Sequence, residues 1–394
     1  MKISIYAMVL GFLTIGALHA APYVPGSDDE VLEHLPFRPD DPAAREISEL
    51  RRQLAADPNN VRIALQLARS YFAQAGGQSD PRFAGYAQAA LRPWWDLPQP
   101  PQAVLVMRAT LRQYSHDFAG GLADIDRALQ ANPSDIDALS LRADINLVQG
   151  NLAASREDCA RMAPYVTELT NAGCVLFIDG MSGRARASHD ALQKELARAK
   201  DVSPDQQLWI LTRLAEMAWR LNEPRAAEAH FRRALAMNIA DGFLLAAYAD
   251  FLIDYGRHPD VVKLLGDWTR ADPLLLRLTL AEQALGAKSF AGHKAALEAR
   301  YAAARLRGDT THEQEESRFA LAILNRPEEA LKLALNNWRL QREPRDARAV
   351  LEAALALRRT DAAQPVLAWM AQTGIEDWYL KQLAAKLVST AGAQ

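Results

Sequence analysis

The stretch Gln102–Asp135, QAVLVMRATLRQYSHDFAGGLADIDRALQANPSD, is 34 residues long, and at Ile136 the chain begins the same pattern again. Its small residues Ala109, Gly121 and Ala128 fall where two helices would cross. Leu105, Phe118 and Ile125 supply the seam between them, and Pro133 ends the second helix. Two such helices expose more apolar surface than they can cover for each other, so the unit must stack on a copy of itself. The pattern returns at 208 (Leu211, Leu214, Ala215, Ala218, Ala227, Phe231, Ala234) and at 242 (Tyr248, Ala249, Leu252, Gly256, Val261, Leu265, Trp268, Pro273). Between the two tandem pairs lies a degenerate unit over 166–205, with Ala172 and Gly173 at the crossing and Gly180-Met181-Ser182-Gly183 at the turn.

The pattern extends in both directions. Pro42 is placed to start a helix over 43–56, and Asp57-Pro58-Asn59-Asn60 matches an inter-unit turn. A longer unit opens at Val61 with Leu67, Ala68 and Tyr71; Gly76 to Asp80 is expected to widen its internal turn. Trp94 and Trp95 are expected to plug the enlarged seam in an irregular connection. Beyond 275 the register loosens, with helices expected near 274–286, 288–306, 312–325, 327–341, 345–358, 361–373 and 376–390. The last is amphipathic through Trp378, Leu380, Leu383 and Leu387 and fits a capping helix. No stretch reads as a strand. The resulting division is 1–20, 21–42 (an extended arm rich in Pro and Asp), 43–275 for the regular repeats, and 276–394 for degenerate helical repeats.

This periodicity resembles the tetratricopeptide repeat. The resemblance implies an all-α, right-handed superhelical solenoid of antiparallel helix pairs, with a concave surface lined by the first helix of each pair. The family's inward positions fall here on Trp209, Thr212, Glu216, Trp219 and Arg220 of the 208 unit and on Phe243, Asp250 and Asp254 of the 242 unit. Asp144 of the 136 unit and Tyr114 of the 102 unit occupy them as well. Aromatic rings beside fixed charge are the ingredients of a peptide-binding surface, and the acids recur at one position (Asp144, Glu216, Asp250). The competing reading gives those acids to solubility and packs the aromatics between neighbouring first helices. The Lys and Asn of the family's carboxylate clamp are not reproduced.

Composition narrows the function classes. A formal net charge of −3 over 394 residues gives no electrostatic footprint for nucleic acid. Lys2 followed by the uncharged run Ile3–Leu18 and by Leu18-His19-Ala20 reads as an export signal cut after Ala20; an uncleaved anchor is the alternative. The run is shorter than the roughly 20 residues that span a bilayer, and no other segment is apolar enough to do so. Export to an oxidising compartment favours pairing the two cysteines, Cys159 and Cys174. In the repeat frame they lie on adjacent antiparallel helices, although two small buried residues would also suit that place.

There is no phosphate loop, no HExxH, no GxSxG and no haem-attachment motif, and the histidines are scattered without metal-ligand spacing. The sequence therefore points to a non-catalytic scaffold or adaptor of the cell envelope that needs no cofactor and no metal, with a protein or peptide partner held in the groove. An alternative is an accessory subunit of a membrane transporter or envelope assembly complex, docking through the N-terminal arm and the convex face.

Overall fold

The computed structural model describes residues 41–78 and 80–391, together with Ser27; the export segment and nearly all of the arm lie outside the described residues. The chain divides into two compact units, Met1–Arg45 and Glu46–Gln394. In the first, Asp41 accepts a hydrogen bond at 2.8 Å from the Ala43 amide where a helix begins.

The second unit is all-α: among the described residues every regular element is helical. After α1 (Pro42–Ala56) the helices follow in antiparallel pairs: α2 (Val61–Gln78) with α3 (Arg82–Ala90), then, past the short α4 (Arg92–Trp95), α5 (Gln102–Tyr114) with α6 (Phe118–Ala131). α7 (Ile136–Val148) pairs with α8 (Leu152–Met162), α9 (Glu168–Gly180) with α10 (Ala185–Arg198), and α11 (Pro204–Arg220) with α12 (Pro224–Leu235). The pairing goes on through α13 (Gly242–Asp254) and α14 (His258–Leu265), α15 (Asp272–Leu285) and α16 (Phe290–Leu306), and α17 (Glu313–Ala322) and α18 (Pro327–Leu340). α19 (Pro344–Ala356) and α20 (Thr360–Thr373) form the last pair before α21 (Trp378–Ala391). First helices touch the first helices of neighbouring pairs, as in a tetratricopeptide-like repeat.

The local chemistry repeats with the units. Asp117, Asp135, Thr167, Ser203 and Asp241 each cap a helix by accepting from an amide in its first turn, a contribution of about 1 kcal/mol apiece. The turn inside each unit needs one left-handed residue, supplied by His116 (φ 58°), Gly150 (φ 79°), Asn222 (φ 60°) and Gly256 (φ 68°). A second device repeats with the same period. Arg108 grips Asp124 through two hydrogen bonds of 2.7 and 2.6 Å, and one period later Arg142 grips Asp158 through two of 2.9 and 2.6 Å. Each pair locks the first helix of a unit to its second, and forked geometry makes burial of the charge tolerable.

The cysteines are joined. Cys159 on α8 and Cys174 on α9 have Cα atoms 5.9 Å apart, within the span a disulfide allows. The expected widened turn at Gly76–Asp80 is not there: α2 continues through both glycines to Gln78. Gly77 lies beside the Ala240 carbonyl, where a Cβ would stand 3.4 Å from the oxygen, and packing of this kind overrides the weak helix propensity of glycine. Trp94 and Trp95 are half-buried in α4, and the Trp95 carbonyl accepts from the Arg108 guanidinium.

The C-terminal helices do more than close the stack. They return to the earlier repeats and share one core with them, which joins Leu139, Phe177 and Ile178 to Trp338, Val350, Trp369 and Leu380. The Arg342 amide donates to the Val148 carbonyl at 2.7 Å, and the side chains of Gln341 and His116 meet at 3.1 Å. At another point the backbones themselves touch: a Cβ on Gly183 (φ 77°) would stand 3.0 Å from the Gly374 carbonyl oxygen, so only glycine fits. The concave face of the central repeats thus looks onto the protein's own C-terminal helices.

Candidate binding cavity

Where those helices meet the central repeats they line a partly open cavity of about 130 Å³, a volume close to that of a single benzene-sized ring. Three local signals set its walls. Ser203 caps α11 ahead of Pro204, starting the helix that carries Glu216, Trp219 and Arg220. Glu343 and Asp346 form a reciprocal capping box at α19, which carries Arg345, Arg348 and Glu352. Asp377 accepts from the Tyr379 and Leu380 amides, each at 3.0 Å, and so fixes the start of α21 with Trp378 and Tyr379 at the cavity.

Most charges in the wall are matched. Asp250 takes Arg277 at 2.6 Å and also Arg318, which reaches it from α17. Burial pushes the Asp250 carboxyl up, but the two guanidiniums outweigh it and hold it at about 2. Arg348 forks onto Asp254 (2.9 and 2.8 Å), bonds Glu352 at 2.8 Å and lies 4.2 Å over the Tyr379 ring. For Asp254 burial prevails over Arg348 and raises its pKa. The Tyr379 hydroxyl donates to Glu352 at 3.0 Å, and burial together with that environment takes it to about 12. Arg345 pairs with Glu343 at 2.5 Å, and Arg213 with Glu216 at 2.7 Å. Arg213 also lies over the rings of Phe177 (4.5 Å) and Phe243 (4.7 Å).

Two groups lack a direct ion pair among the described residues: Asp377, whose side chain accepts only backbone amides, and Arg220. Arg220 is 7% exposed, its Nη1 meets only the Met181 sulfur at 2.8 Å, and neither Nε nor Nη2 has a hydrogen-bond partner among the described residues. Burial lowers its pKa, opposed by the more distant charges of Asp377 and Glu216.

Six of the ten inward residues read from the sequence therefore meet at one cavity: Glu216, Trp219, Arg220, Phe243, Asp250 and Asp254. The other four lie elsewhere. Thr212 is buried and donates to the Leu208 carbonyl of its own helix at 2.9 Å. Trp209 fills the seam between α9 and α11, so close to Gly173 that a Cβ there would stand 2.3 Å from its ring. Tyr114 packs edge-on against Phe72 (5.8 Å) and borders a second, wider cleft of about 460 Å³ with Trp95, Arg300 and Tyr301. Asp144 keeps contact with solvent, yet the protein surrounds it densely enough to raise its pKa to about 6 against the pull of Arg213.

Sequence reasoning missed the half of the wall that comes from the C-terminal third: Arg318, Arg345, Arg348, Glu352, Trp378 and Tyr379. The pairs that bring them in span 68 residues (Asp250–Arg318) and 94 residues (Asp254–Arg348), distances no repeat pattern encodes. The one available signal was three arginines on first helices of degenerate units.

No protein-family model matches the chain, and no curated protein shows significant similarity to it. Among solved structures the chain is similar to a tetratricopeptide repeat protein from Parabacteroides merdae ATCC 43184, at 13% identity and a TM-score of 0.37, over 78% of this chain and 99% of that one. It is also similar to a Rap protein, solved in complex with competence and sporulation factor, at 13% identity and a TM-score of 0.42, over 88% of this chain and 99% of that one.

Proposed function

We propose that the chain is a non-catalytic, protein-binding scaffold of the cell envelope that takes a peptide or protein segment on the inner, first-helix face of its repeats. The observation that carries this reading is the convergence of Phe177, Trp219, Phe243, Trp378 and Tyr379 with paired charges around one cavity on that face. Aromatic anchors amid matched, rigid charge are where binding energy concentrates in protein interfaces. Export is supported by the disulfide between Cys159 and Cys174, a bond that persists in oxidising compartments.

The test is photo-crosslinking in native envelope, with the reactive side chain placed at Glu352 beside the cavity or at exposed Tyr165. One discrete protein adduct from Glu352 and none from Tyr165 is the expected result. Adducts from Tyr165 alone, abolished by deleting residues 21–42, would instead establish docking by the arm and convex face to a transporter or assembly complex.

A further inference from the structure

Asp377 lacks what the other acids of the cavity wall have. Six carboxylates and five guanidiniums line the cavity. Arg277 and Arg318 are taken by Asp250, Arg348 by Asp254 and Glu352, and Arg345 by Glu343, while Glu216 is matched by Arg213. Asp377 and Arg220 remain, and they form no bond with each other. Nε and Nη2 of Arg220 are closed off from solvent, with Nη2 packed towards Gly180. Asp377 is 6% exposed and spends Oδ1 on the amides of Tyr379 and Leu380; its Oδ2 has no donor among the described residues. Unlike the Arg220 nitrogens, Oδ2 keeps contact with solvent, and the residue lines the cavity, so a molecule held there reaches it. Burial raises the Asp377 pKa against the pull of the Leu380 amide and the Arg220 charge, as expected of a carboxylate short of positive charge.

The rings of the same wall point to the kind of cation. Guanidiniums already lie over three of them: Arg213 over Phe177, Arg345 over Phe243 and Arg348 over Tyr379. Trp219 and Trp378, the ring type that holds cations best, carry none among the described residues. No group of three or more His, Cys, Asp or Glu among the described residues could hold a metal ion, so a bare divalent ion finds no ligand set here. From this we infer that the cavity binds a small organic ammonium ion with an apolar body about the size of a six-membered ring, its N–H groups on Oδ2 of Asp377 and its body against Trp219 and Trp378. The inference stands whether or not a protein partner docks on the inner face. Because Trp219 belongs to α11 while Asp377 and Trp378 open α21, a bound cation would also tie the last helix to the central repeats.

The probe is piperidinium, titrated into the full chain at constant ionic strength and followed by ligand-observed proton NMR; tetrahydropyran is its uncharged counterpart. Expected are saturable binding of piperidinium and binding at least about tenfold weaker for tetrahydropyran and for Asp377→Asn. Asn caps a helix as well as Asp, so Asp377→Asn should melt close to the wild-type temperature. Trp378→Leu should weaken piperidinium by about threefold or more. No saturable binding up to about 20 mM piperidinium would overturn the inference, as would equal binding of piperidinium and tetrahydropyran, a comparison that needs no variant. Unchanged binding in Asp377→Asn would do the same, since it would leave Asp377 as the cap of α21 alone. A pentapeptide blocked at both ends with one central Lys, set against its acetyl-lysine twin, separates the two sources of such a cation. Binding tighter than piperidinium, and lost on acetylation, would assign the site to a lysine of a docked segment; weaker binding would assign it to a free amine, and either result upholds the cation site.

Discussion

Replacing Asp250 by Asn tests whether the C-terminal helices are held to the central repeats by charge. In the wild type one carboxylate serves Arg277, which is 4% exposed, and Arg318 from α17. Holding that carboxyl at about 2 instead of 3.8 is worth roughly 2 kcal/mol at neutral pH. Stranding the buried Arg277 and the half-buried Arg318 costs a similar amount, so Asp250→Asn should lose about 3 kcal/mol at pH 7. Because the pKa is depressed in the folded state, this stability is present above pH 3.8 and lost only as pH falls through about 2. The assay is urea unfolding at pH 7 of the wild type, Asp250→Asn, Arg318→Met and the double variant. The Asp250 and Arg318 losses should not add, leaving a coupling energy of about 1–2 kcal/mol. Additivity within about 0.3 kcal/mol would refute the idea that this pair joins α13 to α17.

Other consequences can be measured alongside. Cys159→Ala with Cys174→Ala opens a loop closed across a separation of 15 residues and should cost about 3 kcal/mol in chemical denaturation; an unchanged midpoint would mean the bond does not stabilise the fold. Gly173→Ala drives a methyl into the Trp209 ring and should cost about 1–3 kcal/mol, read as a lower melting temperature. Burial takes His116 and His230 from 6.5 to about 4, so their contribution is complete above pH 6.5 and disappears as pH falls through about 4. His116→Asn keeps a residue suited to the left-handed turn and should flatten the fall in urea midpoint between pH 7 and pH 4. An identical fall in that variant would contradict the assignment. Asp144, raised to about 6, contributes with the opposite sign and is common to both proteins.

The sequence by itself determined the helices and their pairing. The repeat at Gln102 and Ile136 located α5 to α8, and even the seven degenerate helices beyond 275 appear within a few residues of their expected places. It also placed Cys159 and Cys174 on neighbouring helices, because each of these features is written in residues fewer than about 40 apart. Glu216, Trp219, Arg220, Phe243, Asp250 and Asp254 were legible as inward-facing only through the resemblance to the tetratricopeptide repeat. What they face was decided by tertiary structure alone. Asp250 meets Arg318, and Asp254 meets Arg348, only because the C-terminal helices come back over the repeats. A periodic pattern specifies which side of a helix is buried against its neighbour in the stack, but it carries no information about a helix that returns from far along the chain. Arg220 was thus legible only as one more charge on a groove, and the fold buries it against the Met181 sulfur, with Nε and Nη2 unpartnered among the described residues.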